Sequence, residues 1–131
     1  MNSKIEDSLS KLEAALDRLK EALSEDSSNP LFIDGTVQRF EFVFELTWKT
    51  LKRALEAEGF ICRTPRETLK TAYQAGWINN EALWIQMLDD RNMSSHTYDE
   101  PMASQIHDNI KNYYPEIVKL VILIRAKHPL S

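Results

Sequence analysis

Six aliphatic residues, Ile5, Leu9, Leu12, Leu16, Leu19 and Leu23, follow one another at intervals of 4, 3, 4, 3 and 4. Only a helix of 3.6 residues per turn gathers such positions on one side. The residues between them are mostly Lys, Glu, Asp and Ser, so the stripe is narrow and the helix packs by one face alone. It therefore needs partners, and the rest of the chain offers more helices. Only three glycines (Gly35, Gly59, Gly76) and five prolines punctuate 131 residues, too little turn material for a many-stranded sheet. Long stretches rich in Leu, Ala, Glu and Lys favour helix as well. The fold class expected is all-α.

The stretch Ser24 to Pro30 reads as a turn. A second helix is predicted from Asp34, as N-cap, to Glu58, with Gly59 in the position just past the end. Val37, Phe40, Phe44, Thr47, Leu51 and Leu55 share one face of it, and Phe42, Val43, Leu46 and Trp48 widen that face. A helix this apolar is expected at the centre, contacted on several sides. Thr64-Pro65-Arg66-Glu67 is a capping box with proline at the first helical position, opening a third helix that ends at Gly76. A fourth starts at Asn79 or Asn80 and carries Leu83, Trp84, Met87 and Leu88 up to Asp89-Asp90-Arg91. Pro101 marks a break before the last helix, whose apolar face is Ile106, Ile110, Tyr113, Ile117, Leu120 and Ile124. Pro115 inside it is expected to kink the helix or weaken one turn. The expectation is an up-and-down bundle of four to five helices, one domain over residues 1–131, with no internal repeat.

Charge and motif content remove several function classes. A formal net charge of -4 and a pI near 5.4 argue against a broad basic surface for DNA. Lys49, Lys52, Arg53, Arg63, Arg66 and Lys70 form a local excess of cations, read as a solvated face. Cys62 is the only cysteine, so neither an intramolecular disulfide nor a cysteine-based zinc site is available, and a reducing cytoplasm fits. The charged N-terminus has no apolar signal-peptide core, and the run Ile117 to Ile124 is too short to span a bilayer. A cytoplasmic protein without a membrane partner is expected. No glycine-rich phosphate loop, no Glu-x-x-His pair and no His-Glu-x-x-His occurs. Gly-Ser followed by Asp-x-Asp, the carboxylate pattern of a nucleotidyltransferase, is missing too, so this chain is not the transferase. Neither metal nor cofactor is expected.

One constellation carries chemistry. Within Asp90 to Asp99 lie a permanent cation, Arg91, a group that titrates near neutrality, His96, and a phenol, Tyr98. On a helix Arg91 and His96 would point about 140° apart, so they converge best if the helix frays or turns between them. Arginine can neutralise charge building on a phosphate while imidazole moves protons, a metal-free kit for phosphodiester chemistry. By spacing alone such a pair is common by chance, and the same residues suit an ordinary helix end. Elsewhere the bland readings are preferred. Trp48, Trp77 and Trp84 read as core, His107 and His128 as surface residues, and Cys62 as an inert residue at a turn. Glu41, Glu45 and Arg39 read as ion pairs at the bundle's edge, the alternative being that Glu45 orients His96 or Arg91.

Arg91-x4-His96-x-Tyr98 resembles the Arg-x4–6-His-x-Tyr motif of HEPN domains in HEPN–MNT toxin–antitoxin pairs. The stretch Val37 to Lys49, the segment Thr64-Pro65-Arg66-Glu67 and the run from Trp84 to Tyr98 resemble the nucleotidyltransferase substrate-binding family, a HEPN subgroup. The resemblance implies a helical bundle that forms homodimers, with the motif near the dimer cleft, and a separate MNT-type nucleotidyltransferase as partner. It implies a metal-independent ribonuclease toxin, silenced by adenylylation of the motif tyrosine. Carried over, Arg91 would contact the scissile phosphate, His96 would act as general acid or base, and Tyr98 would accept AMP. Asn92, Ser95 and Glu45 would support them. Two alternatives stand beside this reading: a non-catalytic substrate-binding subunit docked on the transferase, and a helical dimerisation module whose motif serves structure only.

Overall fold

A computed structural model describes residues 3–25, 28–96 and 98–129, with Ser3, Ser95 and His96 described by their backbone alone. Among the described residues five helices follow in order: α1 (Ser3–Leu23), α2 (Pro30–Ala57), α3 (Pro65–Gln74), α4 (Glu81–His96) and α5 (Glu100–Lys127). They form the expected all-α bundle, and α2 is its axis, touching each of the other four.

Local chemistry sets most of the boundaries. Thr64 caps α3, its hydroxyl accepting from the Glu67 amide at 3.1 Å, with Pro65 next. Both α2 and α3 end in the same C-terminal motif. Gly59 (φ 95°) and Gly76 (φ 80°) take the left-handed position, and the next amides, of Phe60 and Trp77, reach back to the Leu55 and Ala72 carbonyls. Asp99 caps α5 by accepting from the Met102 amide, so Pro101 sits in the first turn rather than in a long break.

The start of α2 differs from expectation. Asn29, not Asp34, is the N-cap, accepting from the Leu31 amide at 2.9 Å. Pro30 follows it, where a missing N–H costs nothing. The Asn-Pro pair that reads as turn material is a cap and first helical residue, and Asp34 lies inside the helix.

The stripe of α1 is buried as its spacing predicts, with Ile5, Leu9, Leu12, Leu16 and Leu19 all in the core. Phe40, Phe44, Leu51, Leu55, Trp84, Met87, Tyr113, Ile117 and Ile124 complete it, and the Phe40 ring stacks on Tyr113 at 5.5 Å. Each large side chain so buried contributes about 1.5–3 kcal/mol. Two expectations fail. Phe42 is 62% exposed, on a strip of α2 that it shares with the exposed Gln38 and Lys49. His107 is buried rather than on the surface, because it lies beside Ile106 on the face of α5 turned to the core. α5 runs on through Pro115, which leaves the carbonyl of Lys111, an exposed residue where water can serve, without its helical donor.

Away from the motif, the end of α5 is fastened by charge. Arg125 donates to Glu6 at 2.7 Å and to Glu13 at 2.6 Å, both on α1. Lys127 lies 4.9 Å above the Trp77 ring and 3.5 Å from Glu58. Among the described residues no helix is long and apolar enough to cross a membrane.

Candidate functional site

The middle of α4 carries three consecutive charged residues, and each is tied to a different helix. Asp89 pairs with Arg66 of α3 at 3.3 Å. Asp90 accepts from Tyr113 at 2.5 Å and from Asn109 at 3.0 Å, both on α5. Arg91 pairs with Glu45 of α2. Successive residues on a helix point about 100° apart, so neighbours in sequence can serve three flanking helices. These polar ties fix how α4 sits, and with it the direction of Arg91.

Around Arg91 the arrangement is dense. Its guanidinium donates to Glu45 and, at 3.2 Å, to the Asn92 side-chain carbonyl, while Ser94 donates to the Arg91 carbonyl at 2.9 Å. Glu45 also receives Lys49 at 3.2 Å. Burial alone would push the Glu45 carboxyl up. The Lys49 hydrogen bond, the nearby Trp48 indole N–H, which makes no hydrogen bond of full geometry, and the charges of Arg91 and Lys49 outweigh it. The result is a carboxyl held below its ordinary range. Glu45 is thus ion-paired to both Arg91 and Lys49.

The backbone stays helical from Arg91 through His96, so no turn intervenes between them, and their positions are about 140° apart around α4. The fray or turn that would bring them together does not occur in the backbone there. The side chains of Ser95 and His96, and all of Thr97, lie outside the described residues.

Tyr98 is 43% exposed, and its hydroxyl donates to Asp34 Oδ1 at 2.6 Å. Desolvation, then the hydrogen bond to Asp34 and the charges of Asp34 and Glu41, push the phenol well above its ordinary value. On α2, Asp34, Glu41 and Glu45 are separated by seven and four residues. That spacing places them along one side of the helix, within about 40° of each other over about 16 Å. One edge of α2 thus faces the motif with carboxylates, meeting Tyr98 at one end and Arg91 at the other.

Asp34, Asp90, Asn109 and Tyr113 do not stand out in the sequence as site residues. Asp34 reads there as a cap, and Tyr113 as part of the apolar face of α5. The one available signal is Asp90 itself, an acid beside the motif arginine. A hollow of about 280 Å³ beside Asp34 is lined by Pro30, Ile33, Glu100 and Ser104 among others. Two larger hollows, of about 300 and 450 Å³, lie between α1 and α2 around Gly35, Arg39 and Phe42, and no motif residue lines them. Among the described residues, no three His, Cys, Asp or Glu side chains gather closely enough to hold a metal ion.

Residues 7–123 match the sequence profile of the family described as nucleotidyltransferase substrate binding protein like. A relative, the probable ribonuclease HepT of Haemophilus influenzae, is 32% identical over 106 residues, covering 73% of this chain and 69% of that protein. Two solved structures share the fold. The protein ttk003001694 from Thermus thermophilus superposes with a TM-score of 0.82 at 32% identity, over 87% of this chain and 98% of that one. HI0074 from Haemophilus influenzae, described as revealing the fold of a substrate binding domain of a nucleotidyltransferase, superposes with a TM-score of 0.79. It is 28% identical, over 89% of this chain and 98% of that one. The matched region spans α2 to α4 and most of α1 and α5, and so contains every helix that contributes to the site; the chain is a HEPN-like member of the nucleotidyltransferase substrate binding protein family.

Proposed function

We propose that this chain, one domain over residues 1–131, is the HEPN subunit of a two-protein system whose other member is a separate MNT-type nucleotidyltransferase. In this reading it cleaves RNA in the cytoplasm as a homodimer, without a metal ion, and is silenced by adenylylation of Tyr98. The observation that carries the proposal is the Arg91–Glu45 bridge on the helix that leads to His96. A guanidinium steadied by a carboxylate from a neighbouring helix meets a phosphate with less side-chain entropy to lose. The probable-ribonuclease description of a 32% identical relative supports the same reading.

The chemistry follows from the residue types. The RNA 2′-hydroxyl attacks the adjacent phosphorus, with His96 as general base or as general acid for the departing 5′-oxygen. Arg91 neutralises the charge that builds on the phosphate oxygens. A nucleotide on Tyr98 adds bulk and negative charge beside the motif, where the RNA backbone must pass.

Purified wild-type protein, shown by intact mass to be unmodified at Tyr98, is expected to cleave RNA in EDTA and leave 2′,3′-cyclic phosphate ends. His96→Ala is expected to lower the rate by about 10²–10⁴. Folded, unmodified wild-type protein that leaves RNA intact would contradict the ribonuclease. The net charge of -4 favours a second reading, a non-catalytic subunit that docks on the transferase and helps form its substrate pocket. Complex formation without RNA cleavage is the outcome that reading expects.

A further inference from the structure

Asp34 has no local structural duty that explains its place. Asn29 caps α2, and Asp34 lies in the second turn, where among the described residues no cation pairs with it. Its described side-chain contact is with the Tyr98 hydroxyl, which donates to it at 2.6 Å across 64 positions of sequence. Both residues are exposed enough to be approached, and an open hollow borders the carboxylate between the first turns of α2 and α5. A carboxylate in hydrogen-bond contact with a reachable hydroxyl has the geometry of a general base and its nucleophile.

We propose that Asp34 takes the proton from Tyr98 when that hydroxyl attacks a nucleoside triphosphate, which makes Asp34 a catalytic residue in the modification of its own chain. The inference rests on the reading of Tyr98 as the nucleotide acceptor. In the step, Tyr98 Oη forms a bond to the α-phosphorus while the bond from that phosphorus to the bridging oxygen breaks. Pyrophosphate leaves, the proton passes to Asp34 Oδ1, and nothing is oxidised or reduced. The partner transferase supplies the triphosphate and its magnesium ion. At rest the carboxylate holds the proton on the phenol, so the hydroxyl becomes nucleophilic only as phosphorus approaches. Once Oη is esterified it can no longer donate, and its phosphodiester faces Asp34 and Glu41, so the 2.6 Å contact is lost.

The test follows modification of the full chain by its transferase with magnesium ATP, read by intact mass with peptide mapping of Tyr98. Wild type, Asp34→Asn, Asp34→Glu and Tyr98→Phe are compared. Asparagine keeps an oxygen that can accept from Tyr98 but cannot take its proton. The Asp34→Asn variant is expected to react about 10²-fold more slowly or worse. Its residual rate should climb about tenfold per pH unit between about pH 7 and 9, as hydroxide replaces the missing base, while wild type stays flat. Asp34→Glu is expected to restore part of the rate. An Asp34→Asn variant that reacts at the wild-type rate, or slowly but with the wild-type pH profile, would overturn the inference and leave Tyr98 as acceptor. Wild-type protein that takes no nucleotide on Tyr98 would overturn both.

Discussion

Arg125 and Arg91 are both arginines paired with glutamate across two helices, yet their surroundings differ. Arg125, near the end of α5, bonds two carboxylates of α1 and so joins the two helices. Its guanidinium is pushed above its ordinary value by the hydrogen bonds to Glu13 and Glu6 against a smaller cost of burial. Arg91, in the second half of α4, is paired with Glu45 in a stretch where two further charged residues hold the helix to α3 and α5. It leads within one and a half turns to a histidine and then to a phenol bonded to Asp34. The contrast teaches that an ion pair's meaning lies in what it positions. One fastens two helices; the other, in the proposed function, steadies a guanidinium for a phosphate.

Breaking each pair should therefore break different things. The largest effect is expected from Arg91→Ala, which should lower RNA cleavage by about 10²–10³, the range for losing one donor to a developing phosphate charge. Arg125→Ala should leave the rate within about twofold of wild type, read in the same assay. Tyr113→Phe sharpens the comparison. It removes the donor that steadies Asp90, costing about 1–3 kcal/mol by chemical denaturation, and it should slow cleavage as well because α4 loses a tie beside Arg91. Arg125→Ala should cost about 1 kcal/mol or less, since its pairs are partly exposed.

The smallest effects are in pH dependence, and they fall in different windows. The Glu45 carboxyl is lowered from 4.5, so the unfolded chain takes up its proton first as pH falls. Its contribution is complete above about pH 4.5 and is lost through the acid range, and Glu45→Gln should flatten that part of the stability curve. Buried His107 is lowered from 6.5, chiefly by desolvation and then by Lys111, so its contribution is complete above pH 6.5 and declines below it. His107→Gln should flatten the slope just below pH 6.5 while leaving the Glu45 region unchanged.

The same contrast explains what could be read from the residues. The stripe on α1, the Thr64 capping box and both glycine stops are encoded within a few residues, and local geometry alone commits them. So is the central place of α2, which follows from an apolar face too wide for one partner. What could not be read depends on distant partners. Asp34 looks like a cap because Asp often is one, and only the fold brings Tyr98 to it. Tyr113 looks purely apolar because its ring fills the core, while its hydroxyl serves Asp90 on another helix. Phe42 looks buried because its neighbours are, and only the arrangement of the other helices leaves its strip bare. The motif was legible as residue types, and Glu45 as a possible partner, but the pairing of Glu45 with Arg91 is a tertiary fact.

The central claim is that the Arg91 end is built for chemistry and the Arg125 end for cohesion. The most direct test measures cleavage rate in EDTA and thermal midpoint together for wild type, Arg91→Ala and Arg125→Ala. The account predicts that Arg91→Ala loses cleavage while remaining folded, and that Arg125→Ala keeps its rate with a lowered midpoint. A folded Arg91→Ala protein that cleaves RNA as fast as wild type would contradict it.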